Sequence, residues 1–211
     1  FCKKLSKDYQ GAIDDYSKTI ELDPKNIRAW ILRGAVKIYL EDYQGAFVDY
    51  TVAIELDPKN PLIYNLRAFC KKLSKDYQGA IDDYSKAIEL DPKNPEIYIK
   101  RGDIKEWQSS IQGAIDDYSK AIELDPKNIR AWVSRGAVKI YLEDYQGAID
   151  DYSKAIELDP KNPEIYIKRG KIKERFSIND NSDIQGAIDD YSKAIELTSN
   201  RTTKEVIIDW K

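Results

Sequence analysis

Apolar residues recur along this chain at helical spacing, in segments that open on a Gly-Ala pair and close at an Asp-Pro step. In one of them Tyr77, Ala80, Ile81, Tyr84, Ala87 and Ile88 follow the i, i+3, i+4, i+7 rhythm, and Asp82, Asp83, Ser85, Lys86 and Glu89 fill the opposite face. Such a helix should end at its Asp-Pro step, because proline lacks an amide proton and restricts the residue before it. A second helix is then expected to start on Asn26, Asn60, Asn94, Asn128 or Asn162, since asparagine is a favoured N-cap. In three places Pro61, Pro95 or Pro163 follows directly, where a first-turn proline is tolerated. Strand patterns are absent, so the pattern predicts an all-α chain of paired helices, each of about 14 residues and roughly 21 Å.

The punctuation is periodic. The Asp-Pro-Lys-Asn proline stands at Pro24, Pro58, Pro92, Pro126 and Pro160, every 34 residues, and Gly11, Gly45, Gly79, Gly113 and Gly147 keep the same step. The step to Gly186 is 39, which places a five-residue insertion between Phe176 and Ile184. The predicted organisation is one array with a partial unit at 1–26 and full units at 27–60, 61–94, 95–128, 129–162 and 163–201. Residues 202–211 then form a capping helix or open a seventh unit. Thr202 and Glu205 make a capping box, and Val206, Ile207 and Trp210 would cover the exposed end of the stack. A single unit cannot bury its own apolar face, so neighbours must stack. Phe1 aligns with the middle of a first helix and the chain holds no methionine, so it reads as a piece of a longer protein.

These residues resemble the tetratricopeptide repeat family over nearly the whole chain. The family's first aromatic matches Trp30, Tyr64, Tyr98, Trp132 and Tyr166, and the small residue four places later matches Gly34, Ala68, Gly102, Gly136 and Gly170. On the second helix the small residue matches Ala12, Ala46, Ala80, Ala114, Ala148 and Ala187. The aromatic there matches Tyr16, Tyr50, Tyr84, Tyr118, Tyr152 and Tyr191, and the later alanine matches Ala53, Ala87, Ala121, Ala155 and Ala194, with Thr19 in the first unit. The resemblance implies a right-handed superhelical α-solenoid of 34-residue helix–turn–helix repeats, working as a protein–protein interaction scaffold. It also implies a concave groove lined by the first helices, suited to a peptide or a partner helix. By register the groove would hold Arg28, Ile31, Ala35, Ile38 and Tyr39, then Leu62, Asn65, Phe69, Lys72 and Leu73, then Glu96, Ile99, Asp103, Glu106 and Trp107. Further along it would hold Arg130, Val133, Ala137, Ile140 and Tyr141, then Glu164, Ile167, Lys171, Glu174 and Arg175. The family's carboxylate clamp is missing, because its asparagine position carries Phe1, Ala35, Phe69, Asp103, Ala137 and Lys171. The alternatives are a structural spacer or a self-association module, which would make the chain a homo-oligomer.

One departure from the family pattern recurs. Arg33, Arg67, Arg101, Arg135 and Arg169 each precede a lysine by four residues (Lys37, Lys71, Lys105, Lys139, Lys173), and an aspartate sits on every second helix (Asp15, Asp49, Asp83, Asp117, Asp151, Asp190). Either this is a ladder that binds anions, or the arginines pair with the aspartates between helices. Nucleic acid is not an expected partner, because 34 basic residues face 37 acidic ones and a basic excess is wanted for phosphate. The absence of histidine excludes catalysis or metal binding through imidazole, the carboxylates read as repeated solvent-face residues, and no cofactor is expected. In the insertion Asn179, Asn181 and Asp183 alternate like calcium ligands, but Ile184 replaces the required glycine. Cys2 and Cys70 lie two repeats apart, too far to form a disulfide, and read as packed thiols. No apolar run is long enough to span a membrane.

Overall fold

The structure, a computed structural model, describes residues 8–176 and 182–208, with the side chains described up to Arg175 and again from Ile184 to Ser199. Phe1, Cys2, most of the insertion and Trp210 lie outside it, as do the side chains of Thr202, Glu205, Val206 and Ile207. Among the described residues the chain is all helix and turn. The α-helices are α1 (Tyr9–Leu22), α2 (Ile27–Tyr39), α3 (Tyr43–Leu56), α4 (Pro61–Leu73), α5 (Tyr77–Leu90) and α6 (Pro95–Trp107), followed by α7 (Ile111–Leu124), α8 (Ile129–Lys139), α9 (Tyr145–Leu158), α10 (Pro163–Phe176) and α11 (Ser182–Ile208). A 3₁₀ turn, Ile140–Leu142, extends α8.

The chain divides into two compact units, Phe1–Ile104 and Lys105–Lys211. In the first unit α2 packs on α3 and α4 on α5, and each second helix also meets the first helix that follows, α1 against α2 and α3 against α4. The second unit repeats the scheme with α8 on α9, α10 on α11, α7 against α8 and α9 against α10. Its core is built from the repeat positions themselves. Ala148, Tyr152 and Ala155 of α9 are buried with Ile165, Tyr166 and Ile172 of α10, as Ala46, Tyr50 and Ala53 are with Ile63, Tyr64 and Ala68 in the first unit. Cys70 is buried where Val36, Ile104, Val138 and Ile172 stand in other units; burial pushes its thiol pKa up, and its Sγ–H donates to the Tyr43 carbonyl at 2.9 Å.

The Asp-Pro-Lys-Asn turn is held at both ends. The Asp23 amide closes on the Thr19 carbonyl at 2.9 Å, the Asp23 carboxylate accepts from the Lys25 amide at 3.1 Å, and Asn26 caps α2 by accepting from the Ala29 amide at 3.1 Å. The first-helix aromatic then ties back to the turn. Trp30 and Trp132 donate their indole N–H to the Pro24 and Pro126 carbonyls, both at 2.9 Å. Tyr64, Tyr98 and Tyr166 donate their hydroxyls to the corresponding proline carbonyls at 3.2–3.3 Å. Tryptophan and tyrosine both fit this place because each carries a donor at the far end of a ring.

First helices end differently. Glu41, Lys75, Ser109 and Glu143 adopt left-handed φ of 58–65°, and the next amide returns to the carbonyl five residues back, as Asp76 does to Lys71 at 2.8 Å. That residue then caps the second helix. Asp8, Asp42, Asp76 and Asp144 accept from the amides of Gly11, Gly45, Gly79 and Gly147, and a Cβ at any of those glycines would collide with the carboxylate. Ser110 holds the same place before α7 and makes no side-chain cap bond. Ser110→Asp is therefore expected to stabilise the fold by about 1 kcal/mol, read as a higher midpoint in urea unfolding; an unchanged midpoint would contradict the capping account.

Two expectations need correction. Residues 202–211 are not a separate helix across their described part, because α11 runs unbroken through Thr202 to Ile208. The physical reason is local: Thr198-Ser199 stands where the other second helices stop at Asp-Pro, so nothing removes an amide donor there. Nor is Asp83 on a solvent face; Asp49, Asp83, Asp117, Asp151 and Asp190 are all buried.

Candidate functional site

The buried aspartates are the focus of an ion network that steps along the chain. Arg33 grips Asp49 in a fork, Nε to Oδ2 at 3.0 Å and Nη2 to Oδ1 at 2.8 Å, while its Nη1 donates to Ser17 Oγ at 3.0 Å. One guanidinium thus bonds its own second helix and the second helix before it. Lys37 adds a contact to Asp49 Oδ2 at 2.9 Å and donates to the Gly45 carbonyl at 3.3 Å. The Arg33 guanidinium lies 4.8 Å from the Trp30 ring centroid, so the first-helix aromatic supports its own arginine. Arg67–Asp83, Arg135–Asp151 and Arg169–Asp190 repeat the fork, with Thr51, Ser119 and Ser153 taking the third bond. Arg169 and Asp190 are 21 residues apart rather than 16, so α10 and α11 keep their packing register across the insertion. Hydrogen bonding to Asp83 raises the Arg67 pKa further. The anion-ladder reading fails on this geometry, because the charges of these arginines and lysines are spent inside the fold. The aspartates of this network are structural, whereas Asp82 and Glu89 stay exposed.

The predicted groove residues fall into two groups, one per unit. In the first, Arg28 is exposed on the first turn of α2 and Ile31 is half-buried. Tyr39 is 70% exposed and stacks on Tyr9 with ring centroids 5.6 Å apart. On α4, Asn65 accepts from Lys100 Nζ at 3.1 Å, Phe69 is exposed, and Lys72 and Leu73 are half-buried. Ile99 departs from expectation: it is wholly buried, so the groove loses it. In the second unit Trp107 is 76% exposed at the end of α6, and Arg130 is exposed on the first turn of α8. Ile140 is half-buried and Tyr141 exposed in the 3₁₀ turn, and the Arg175 guanidinium covers the Tyr145 ring at 5.7 Å. The repeat positions that pack are buried; these variable positions keep large apolar groups at the surface.

The second-helix tyrosines also reach toward the first helices. Tyr118 donates to Glu106 at 3.2 Å and Tyr191 to Glu174 at 2.6 Å. Tyr50 meets Ile38 at the equivalent position, and its buried hydroxyl finds no partner. Burial first, and then neighbouring acids, raise two of the second-helix phenols: Tyr152 and Tyr191 are pushed up to about 12. Sequence reasoning did not single out this tyrosine–glutamate pairing, although the alternation of Glu106 and Glu174 with Ile38, Lys72 and Ile140 is its trace. Among the described residues no group of three or more acidic, cysteine or histidine side chains is placed to hold a metal, and no helix is long and apolar enough to cross a membrane.

A family model described as a TPR repeat matches residues 73–106 and 138–175. A crystal structure of MamA is similar to the chain at 26% identity with a TM-score of 0.69, over 73% of this chain and 90% of that one. The C-terminal part of a TPR repeat-containing protein from Cytophaga hutchinsonii reaches a TM-score of 0.81 at 18% identity, over 91% of this chain and 75% of that one. YrrB, described as a TPR protein with an unusual peptide-binding site, matches with a TM-score of 0.70 at 18% identity, over 89% of this chain and 94% of that one. Comparison with the curated protein sequences finds no match. The likeness to these structures is one of fold, an α-solenoid of helix pairs.

Proposed function

We propose that this chain, which a TPR repeat model matches over residues 73–106 and 138–175, is a tetratricopeptide repeat protein and an interaction scaffold whose first helices bind a peptide or partner helix. The observation that carries the reading is the exposure of Tyr39, Phe69, Trp107 and Tyr141 at positions that vary between units, while the repeat's packing residues are buried. Large apolar groups held at a surface mark interaction sites. Rigid aromatics on helices lose little freedom when a ligand covers them, which is why such residues dominate interface energetics. The flanking charges Arg28 and Lys72 in the first unit favour a ligand with acidic residues beside its apolar ones. YrrB, a peptide-binding protein by its description, shares the fold and lends the reading support. Catalysis plays no part in it.

Panning a random peptide library on the immobilised chain tests it. Selected peptides should lose affinity at least about tenfold with Trp107→Ala or Tyr39→Ala, the cost of truncating an aromatic anchor. They should bind Asp116→Ala as before, because Asp116 lies on the exposed face of α7 and only accepts from Gln112. Equal binding to all three variants would replace this reading with that of a spacer.

A further inference from the structure

The second helices share one outward pattern, and α3 breaks it. Asp14, Asp82, Asp116, Asp150 and Asp189 stand at the same exposed position, each with a lysine four residues later and a glutamate three beyond that. A glutamine one turn earlier donates to each aspartate at 2.8–3.0 Å. In α5, α7, α9 and α11 the lysine pairs with the glutamate as well. In α3 the aspartate and lysine positions hold Val48 and Val52, which leaves Gln44 and Glu55 without a side-chain partner among the described residues. Residues 27–60 and 129–162 are otherwise near duplicates; they differ at Ile31, Leu32, Phe47, Val48, Thr51 and Val52. Phe47 and Thr51 serve the fold, because the ring lies 5.7 Å from the Arg67 guanidinium and the hydroxyl accepts Arg67 Nη1 at 3.3 Å. Val48 does not: it is 48% exposed. An apolar residue that displaces a hydrogen bond on a helix surface, and packs nothing inside, marks a contact with something outside.

We propose that this face joins two copies of the chain, with α3 antiparallel to its own counterpart. The charges choose both the occupant and the direction. In the first unit α1, α3 and α5 are successive second helices, linked through α2 and α4, and the same positions face outward in each. A two-fold axis crossing all three, midway between the aspartate and lysine levels, sets Val48 against the partner's Val52. On either side it sets Asp14 against the partner's Lys18 and Asp82 against the partner's Lys86. Gln44 and Glu55 meet at the ends of the stripe, a donor against an acceptor. A parallel pairing would instead oppose aspartate to aspartate and lysine to lysine. Such self-complementarity is what a two-fold contact requires, and an apolar centre with a charged rim is its usual anatomy. Three helices of roughly 21 Å spaced by roughly 9 Å make a face of about 600 Å², so the pair buries about 1,200 Å², at the weak end of specific interfaces. In the second unit α7, α9 and α11 carry the same charges without the valines, and that face lacks an apolar centre. The dimer face lies on second helices, and the aromatic positions of the proposed peptide site lie on first helices or, for Tyr141, in the turn after one.

Sedimentation equilibrium of the chain alone, from about 1 µM to about 500 µM, should show a monomer–dimer equilibrium. Val48→Asp with Val52→Lys gives α3 the outward charges of α9, and should weaken the dimer at least tenfold. The helix content and thermal melt of the dilute chain should stay in place, since neither valine packs the core. Asp14→Lys should weaken the dimer several-fold, and Asp14→Lys with Lys18→Asp should restore it, because the exchanged charges still oppose one another across the axis. In a parallel pairing Asp14→Lys would face Asp82 and strengthen the dimer, which would overturn the proposed register. Asp116→Lys on α7 and Trp107→Ala should leave the dimer unchanged. A chain that stays monomeric throughout, or a dimer indifferent to the valine replacements, overturns the proposal. A dimer abolished by Trp107→Ala would place self-association on the aromatic positions and overturn it equally.

Discussion

Arg135→Ala should destabilise the fold by about 3 kcal/mol or more, seen as a fall of roughly 6–12 °C in the melting midpoint. Asp151 is 2% exposed and receives Arg135 Nε at 2.9 Å and Nη2 at 2.7 Å, with Lys139 Nζ at 3.0 Å as its remaining cation. Removing the guanidinium leaves a buried carboxylate with half its compensation, and the desolvation already incurred by Asp151 is then unmatched. The same change frees Ser119 Oγ, which accepts Nη1 at 3.1 Å, so the contact with the preceding second helix is lost as well. Lys154→Ala is the control: its partner Glu157 is 64% exposed, and an exposed pair is worth about 0.5 kcal/mol or less. Replacing Arg135 and Asp151 together by leucine should recover much of the loss, because the penalty belongs to the orphaned charge more than to the missing pair. If Arg135→Ala melts like wild type, the network is not structural and the anion-binding reading returns.

A graded result is expected at the helix crossing. Gly136→Ala should change stability by no more than about 1 kcal/mol, whereas Gly136→Leu should cost about 3 kcal/mol or more. A Cβ at Gly136 would stand 3.2 Å from Asp151 Cβ and 3.3 Å from both the Ala148 carbonyl oxygen and Tyr152 Cε1, a contact a small shift relieves. The chain makes that substitution itself, since Ala68 occupies the position in the third unit and is fully buried. A leucine has nowhere to go between α8 and α9 except by parting them, and that would pull Arg135 from Asp151. Denaturation of both variants by guanidinium checks the pair; a Gly136→Leu midpoint equal to that of Gly136→Ala would mean the crossing is looser than this packing requires.

The helices, their starts and most of their ends were legible in the sequence. Asp-Pro removes an amide and Asn26 or Asn128 supplies a cap, and both effects act within a few residues of chain. The same locality explains the failure at Thr198-Ser199, where the capping box of Thr202 and Glu205 suggested a new helix but no proline ended the old one. Left-handed residues such as Lys75 and Glu143 left no mark, because neither is a type that favours that conformation.

The candidate site was legible only in part. Exposed aromatics at Tyr39, Trp107 and Tyr141 follow from the register alone, since a position off the packing stripe stays outside. Burial of Ile99 and the tyrosine–glutamate pairs depend on what the neighbouring helix brings. The recurring arginine, lysine and aspartate were equally visible in the sequence, and periodicity could not say whether they faced water or one another. That was decided by tertiary structure. A charge sixteen residues from its partner finds it only once two helices have packed, and the low dielectric between them then turns a surface-like pattern into an internal bond.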